Sequence, residues 1–399
     1  MRVLLTTQPG HGHFDPMVPY AAALRTAGHE VRFGSSAVFG PAVETAGFDF
    51  TAIGENFSWD NAEVTFPESV EYARRGQGLA YSNVITWTRW NPAAARDLIA
   101  SFDSWRPDVL IREFAENGAT LAGQVAGIPV ICASWSALPT DARRWGSVLD
   151  WPWVLDRYRS EATALGIELD DATATWGRQL TLTSLPPSWF TGAETEATVR
   201  HFRLPLADSP ATPGPPWLAA LGRERPLVYA TLGTVFNRLR KARQPLIDGL
   251  AELDVDVLLT VGSTVDPDSL GPVPPRMRIE RFVPQAYAMS QASLVVSHAG
   301  LGTMLGAIYH GVPMVSIVLG AEHPLNAASA AEAGLALPLN LADLDADRIA
   351  TTAQHALDDP VLRATADKVR KECDNLETVD QVVPLVESYV ETGNTSPER

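Results

Sequence analysis

The sequence predicts an α/β protein of two Rossmann-like domains whose parallel sheets face each other across a cleft. Three observations carry this expectation: strands and helices alternate from the first residues, a Pro/Gly-rich break interrupts the middle, and a second alternating series follows it. At 399 residues the chain exceeds the ordinary size of one domain, so two domains of roughly 200 residues are the default.

The first series opens with a β-branched and leucine run over 2–7, ended by Gln8-Pro9-Gly10-His11-Gly12. A helical pattern through Met17, Tyr20, Ala21 and Leu24 stops at Gly28, a residue suited to a helix C-terminus. Strand 29–33, helix 37–46 and strand 48–53 follow, then strands 107–111 and 128–133 with helix 119–126 between them. Pro205, Pro210, Pro213, Gly214, Pro215, Pro216 and Gly222 then read as a linker. The second series places strands at 227–232, 255–261, 278–282, 294–297 and 313–318, with a helical tail from 346. The predicted domains are therefore 1–205, a linker over 206–222, and 223–399, with the last helix placed to pack back on the first domain.

Composition narrows the partners. A formal net charge of -16 argues against nucleic acid or an anionic membrane, yet leaves room for a small anion held at a helix N-terminus. Two distant cysteines, Cys132 and Cys373, suggest reduced thiols. The N-terminal apolar run is too short for a signal-peptide core, and no stretch reaches the ~20 apolar residues of a membrane span. The expected setting is cytoplasmic, as monomer or homodimer. All eleven tryptophans precede or sit in the linker. A single Trp is more often core than ligand contact, but Trp87, Trp90, Trp135, Trp151 and Trp153 lie in segments of little strand character. They are the candidates for an apolar binding pocket in the first domain.

The strongest local signal is Ser297-His298-Ala299-Gly300-Leu301-Gly302-Thr303, after strand 294–297 and opening a helix closed by Gly311. Glycines there let a ligand approach the backbone, and the helix N-terminus offers unpaired N–H groups and about half a positive charge. With the Thr303 hydroxyl and the His298 ring N–H added, the segment suits a diphosphate. A Gly-x-Gly turn alone would be weak evidence. His13 follows Gly12 at the carboxyl end of the first parallel strand, where doubly wound folds place ligands. A neutral imidazole there suits a general base; His11 competes by spacing. Glu113, past the end of strand 107–111, is the candidate acid to orient it. Glu116 is the runner-up, and Asp108 sits at the wrong edge.

The stretch from Ser297 to Ala327, with His298-x-Gly300-x-Gly302-Thr303, Gly311-Val312-Pro313 and Asn326-Ala327, resembles the donor-binding signature of family 1 glycosyltransferases of the GT-B fold. The likeness is greatest to bacterial enzymes that decorate antibiotics, and covers nearly the whole chain. Arg281-Phe282-Val283-Pro284-Gln285 matches the segment that reads the nucleobase, which implies Phe282 and Val283. Gly12-His13-Phe14-Asp15-Pro16 resembles that family's Gly-His-x-Asn-Pro and favours His13 over His11. The resemblance implies an inverting transfer from a thymidine or uridine diphosphate (TDP or UDP) sugar to a polyketide, macrolide or polyphenol hydroxyl. His298, Gly300, Gly302 and Thr303 would hold the diphosphate, with no cofactor or metal. Two departures stand out: Gly306 where a Glu is common, and Glu322-His323 where an acidic–Gln pair grips the sugar.

Asp254-Val255-Asp256 and Asp343-Leu344-Asp345 spell the metal-binding motif of another glycosyltransferase class. Short acidic spellings arise by chance, and Asp254 and Asp256 stand at the amino end of a strand. No Cys/His cluster has zinc spacing. A nucleotide-sugar 2-epimerase shares the architecture, but the Trp-rich first half speaks against it. A dinucleotide oxidoreductase lacks its third glycine after the first strand. A non-catalytic metabolite binder would not need both His13 and the phosphate signature.

Overall fold

The computed structural model describes residues 1–59, 62–67, 85–135, 151–166, 179–190, 198–205, 215–233, 236–320 and 322–392. The chain forms two compact units, one of Met1–Ser184, Ala193–Leu204 and Glu377–Arg399, the other of Leu185–Gly192 and Pro205–Leu376. The predicted linker lies outside the described residues over 206–214. Its remainder belongs to the second unit, where Leu218 is fully buried and the Arg278 guanidinium lies 3.6 Å from the Trp217 ring centroid.

The first unit holds strands β1 (Arg2–Thr6), β2 (Glu30–Ser35), β3 (Asp49–Ala52), β4 (Val109–Glu113), β5 (Val130–Ser134), β6 (Thr181–Thr183) and β7 (Val199–Arg203). The second holds β8 (Leu227–Thr231), β9 (Asp256–Thr260), β10 (Met277–Glu280), β11 (Leu294–Ser297), β12 (Met314–Val318) and β13 (Ala336–Asn340). A two-residue β14 (Glu377–Thr378) returns to the first unit and pairs with β7. The first sheet runs β14-β7-β6-β5-β4-β1-β2-β3, the second β10-β9-β8-β11-β12-β13, and every pairing is parallel. In each sheet the order reverses direction beside the unit's first strand, between β1 and β4 and between β8 and β11. That crevice, at the carboxyl ends of the strands, is where doubly wound sheets bind ligands.

Burial on both faces explains why these strands read as unbroken apolar runs rather than alternating ones. Val3, Leu4 and Leu5 of β1 are at most 1% exposed, as are Val109, Leu110 and Ile111 of β4. Each such side chain contributes about 1.5–3 kcal/mol by burial. The helices that matter below are α1 (Val18–Thr26), α2 (Gly118–Ala126), α3 (Arg240–Ala251), α4 (Leu301–His310), α5 (His323–Glu332), α6 (Ala346–Asp358), α7 (Pro360–Asp374) and α8 (Val382–Glu391). Gly28 and Gly311 follow α1 and α4 with φ of 90° and 68°, values that favour glycine beyond a helix end. Two details differ from expectation. β6, β7, β13 and β14 lack the continuous apolar run that marks the central strands, and α5 starts three residues before Asn326, so His323 is helical rather than in a loop. Among the described residues no helix is long and apolar enough to cross a membrane.

Candidate active site

In the first unit, β1 delivers the chain into a short helix, His11–Phe14, whose opening turn is closed by the Phe14 N–H donating to the Gly10 carbonyl. This places His13 beside Glu113, the last residue of β4, across the reversal point of the sheet. His13 Nδ1 lies 3.3 Å from Glu113 Oε1, with the imidazole side chain 24% exposed and the carboxylate fully buried. Buried carboxylates need donors, and here the Ala115 N–H donates to Oε2 at 2.8 Å and the Gln8 N–H to Oε1 at 3.4 Å. Arg112, 1% exposed, donates to Gln179 Oε1 and to the carbonyls of Glu113 and Phe114. The competing His11 is exposed and faces Asp15 instead, 3.1 Å away.

The runner-up carboxyl, Glu116, is fully buried one turn further on, accepting from the Thr6 hydroxyl and the Ala119 N–H. Burial pushes its pKa up to about 7, against the opposing effects of the Thr6 hydrogen bond and the Arg112 charge.

Aromatic side chains stand near the imidazole. Phe114 stacks on His13 with centroids 6.2 Å apart, and Trp135 meets Phe114 edge-on at 5.4 Å. Trp59 donates its indole N–H to Gln8 Oε1 at 3.0 Å and flanks Gly10 beside the His13 ring. Sequence reasoning passed over both Gln8 and Trp59; Gln8 stands next to the first strand–helix turn, whereas Trp59 follows β3 and is brought there only by the fold. One expectation is corrected. Trp90 is fully buried among Phe57, Phe66 and Leu98, and a side chain at Gly54 would collide with its ring, so it fills core rather than lining a pocket. The side chains of Trp87, Trp151 and Trp153 lie outside the described residues.

In the second unit, β11 leads through His298, Ala299 and Gly300 into α4, with Gly300 at its N-cap. The His298 ring is enclosed between Gly233, which follows β8, and Gly300. A Cβ at Gly233 would come 2.5 Å from His298 Cε1, and one at Gly300 would overlap Nε2. Enclosure pushes the His298 pKa down to about 4, opposed by a hydrogen bond to the Thr231 backbone, so the ring is neutral at pH 7. Gly233 is a site residue that sequence reasoning did not single out. Gln285 Nε2 donates to Thr303 Oγ1 at 3.1 Å, which leaves the hydroxyl its proton to donate. Gly302 lies on the first turn of α4, where a Cβ would meet nothing within 4 Å.

Phe282 is 78% exposed just beyond β10, while Val283 is buried at 3%. His323 is 3% exposed, its Nδ1 accepts from the Gly320 N–H at 3.3 Å, and its ring meets His298 edge-on at 4.8 Å. Rather than standing open to solvent, it backs the His298 ring, and Glu322 precedes it at the N-cap of α5. Burial holds the His323 pKa well below the ordinary histidine value, and the neighbouring His298 lowers it further. At Gly306 a Cβ would come 2.6 Å from Met289 Sδ, so the glutamate common in the signature would require the Met289 side chain to shift. The acidic spellings are occupied elsewhere. Asp254 pairs with Arg225 at 2.7 Å, Asp256 accepts from the Gly222 N–H, and Asp345 caps α6. Among the described residues no group of three His, Cys, Asp or Glu is placed to hold a metal ion.

Two parallel doubly wound units, each with its polar constellation at the strand-order reversal, define the GT-B class of glycosyltransferases. The erythromycin biosynthesis protein CIII-like N-terminal domain matches residues 22–233 and its C-terminal domain matches residues 244–388. The chain belongs to this glycosyltransferase family. It is 32% identical to L-demethylnoviosyl transferase of Streptomyces niveus, over 86% of this chain and 87% of that protein. It is 27% identical to erythronolide mycarosyltransferase of Saccharopolyspora erythraea, over 97% and 98%. Among solved structures, the calicheamicin glycosyltransferase CalG4 superposes with a TM-score of 0.79 at 20% identity, covering 98% of both chains. Glycosyltransferase VinC in complex with dTDP gives 0.74 at 25% identity, covering 98% of this chain and all of that one.

Proposed function

We propose that this glycosyltransferase moves a sugar from a TDP- or UDP-sugar to a hydroxyl of a small, largely apolar natural product by a single inverting displacement. The observation that carries this reading is the His13–Glu113 pair, 3.3 Å apart at the reversal point of the first sheet and bordered by Phe114, Trp135 and Trp59. Glu113 fixes the proton on Nδ1 and stabilises the imidazolium, leaving Nε2 as the base. The acceptor oxygen attacks the anomeric carbon as its proton passes to His13, and the bond from that carbon to the diphosphate breaks. The flat rings beside the imidazole suit a polyketide, macrolide or polyphenol.

On the donor side, the amides opening α4, the Thr303 hydroxyl and the neutral His298 ring stabilise the departing diphosphate. Phe282 and Val283 would read the nucleobase, and Glu322, backed by His323, would face the sugar. The dTDP complex of VinC and the sugar transfers for which the antibiotic relatives are named support this assignment. The reading calls for no resident cofactor or metal, no nucleic acid, and a cytoplasmic monomer or homodimer. The test is release of free nucleotide from TDP- and UDP-sugars, with and without acceptor, and the mass of the product. Release at the same rate in both cases would remove acceptor glycosylation from consideration.

A further inference from the structure

The turn entering α4 contains a strained residue. Ala299 has φ 61°, the one non-glycine residue with positive φ among those described. In that region Cβ crowds the following carbonyl, so such a conformation persists only where neighbours enforce it. The neighbours are identifiable. Ala299 is fully buried, and its N–H donates to Ser297 Oγ at 3.4 Å. Its carbonyl accepts from Asn326 Nδ2 at 3.0 Å. Asn326 is 1% exposed and fixed on α5, where its own N–H donates to the Glu322 carbonyl. The peptide held in this way leads directly into Gly300, whose carbonyl receives the Thr303 and Met304 N–H groups that begin α4. A right-handed conformation at residue 299 would redirect the amides that follow and remove Gly300 from the face of the His298 ring.

We propose that Asn326 is a positioning residue for the donor diphosphate, acting through the Ala299–Gly300 peptide and not by contact with the ligand. This rests on the reading of His298, Gly300, Gly302 and Thr303 as the diphosphate site. Glycine adopts the left-handed region without strain, so Ala299→Gly replaces the restraint that Asn326 supplies. The experiment is a double-mutant cycle of Asn326→Ala and Ala299→Gly on the full chain, read by TDP affinity, by donor and acceptor KM, and by Tm without ligand.

Asn326→Ala is expected to weaken TDP binding and raise donor KM by about 10-fold, as the loss of one buried hydrogen bond would, with acceptor KM unchanged. Ala299→Gly alone should stay within about 2-fold of the parent, and the double variant should recover to within about 3-fold. The Tm lost on Asn326→Ala should likewise shrink in the Ala299→Gly background. A double variant as weak as Asn326→Ala, or an Asn326→Ala protein that binds TDP like the parent, overturns the proposal. If Asn326→Ala fails to fold, Asn326→Ser takes its place in the same cycle. If the parent itself binds neither TDP nor UDP, the diphosphate reading fails and the positioning role falls with it. A surviving Tm coupling would then identify Asn326 as a restraint on the turn alone.

Discussion

At the residue scale, the site depends on what each buried polar group is made to do. Glu113 stands next to His13 and also receives two backbone N–H groups. Glu116 is as deeply buried but has no histidine beside it, and desolvation pushes it toward the neutral acid. His13→Ala should lose at least ~100-fold in turnover while TDP affinity stays nearly constant, since a general base acts in the transition state. Equal loss of donor affinity would reassign His13 to structure.

Glu116 yields a stability prediction of definite sign. The unfolded chain ionises this carboxyl from about pH 4.5, whereas the fold keeps it protonated until about 7. The unfolded state thus binds fewer protons between these values, and stability falls as pH rises through the window, by on the order of 3 kcal/mol. Glu116→Gln should lose less Tm between pH 5 and pH 8 than the parent does. Parallel curves for the two proteins would show that Glu116 is not protonated in the fold. His298 titrates well below neutrality, so its ring resonances should hold steady in an NMR titration from pH 6 to 8; a protonation step there would contradict its enclosure.

At the scale of elements, the two strand–turn–helix junctions that carry the proposed site were unequally legible. The β11–α4 junction could be read because its glycines, histidine and threonine are contiguous in sequence. Gly233 could not, since it follows β8 some 65 residues earlier and gains its role only when the His298 ring is laid against it. With φ 70° and no room for Cβ, Gly233→Ala should weaken donor binding at least ~10-fold. Unaltered binding, measured by calorimetry, would show that the ring can move aside. The His13–Glu113 pairing was legible because parallel pairing sends neighbouring strand ends to the same edge. Trp90 was misread for the opposite reason: a tryptophan in an irregular segment looks like a pocket residue until Phe57 and Phe66 close around it. Strands β6 and β7 escaped notice because short strands with Arg, His and Thr lack the apolar run that marks the sheet centre.

At the scale of the molecule, the last described segment belongs to the first unit. β14 extends that sheet beyond β7, Val382 and Val386 of α8 are fully buried, and Tyr389 donates to the Val130 carbonyl at 3.1 Å. Burial of the two valines alone contributes about 3–6 kcal/mol, a large part of the 5–15 kcal/mol typical of a domain. A chain ended at Leu376 should therefore be recovered aggregated or with a strongly lowered Tm. Tyr389→Phe, which gives up one hydrogen bond, should cost about 1 kcal/mol. A truncated chain melting like the parent would show that the return segment is dispensable.

The return of the tail also bears on how hybrids of this family can be assembled. The chain passes between the units at 184/185, 192/193, 204/205 and 376/377, so the second unit is an insertion within the first and not an appendage after it. A recombinant joined at a single seam near residue 205 would give the first unit of one parent the closing strand and helix of the other. Two seams, the second just before Glu377, would graft residues 205–376 while leaving the recipient its own β14 and α8, with Leu185–Gly192 the one piece of the second unit still to be matched to the graft.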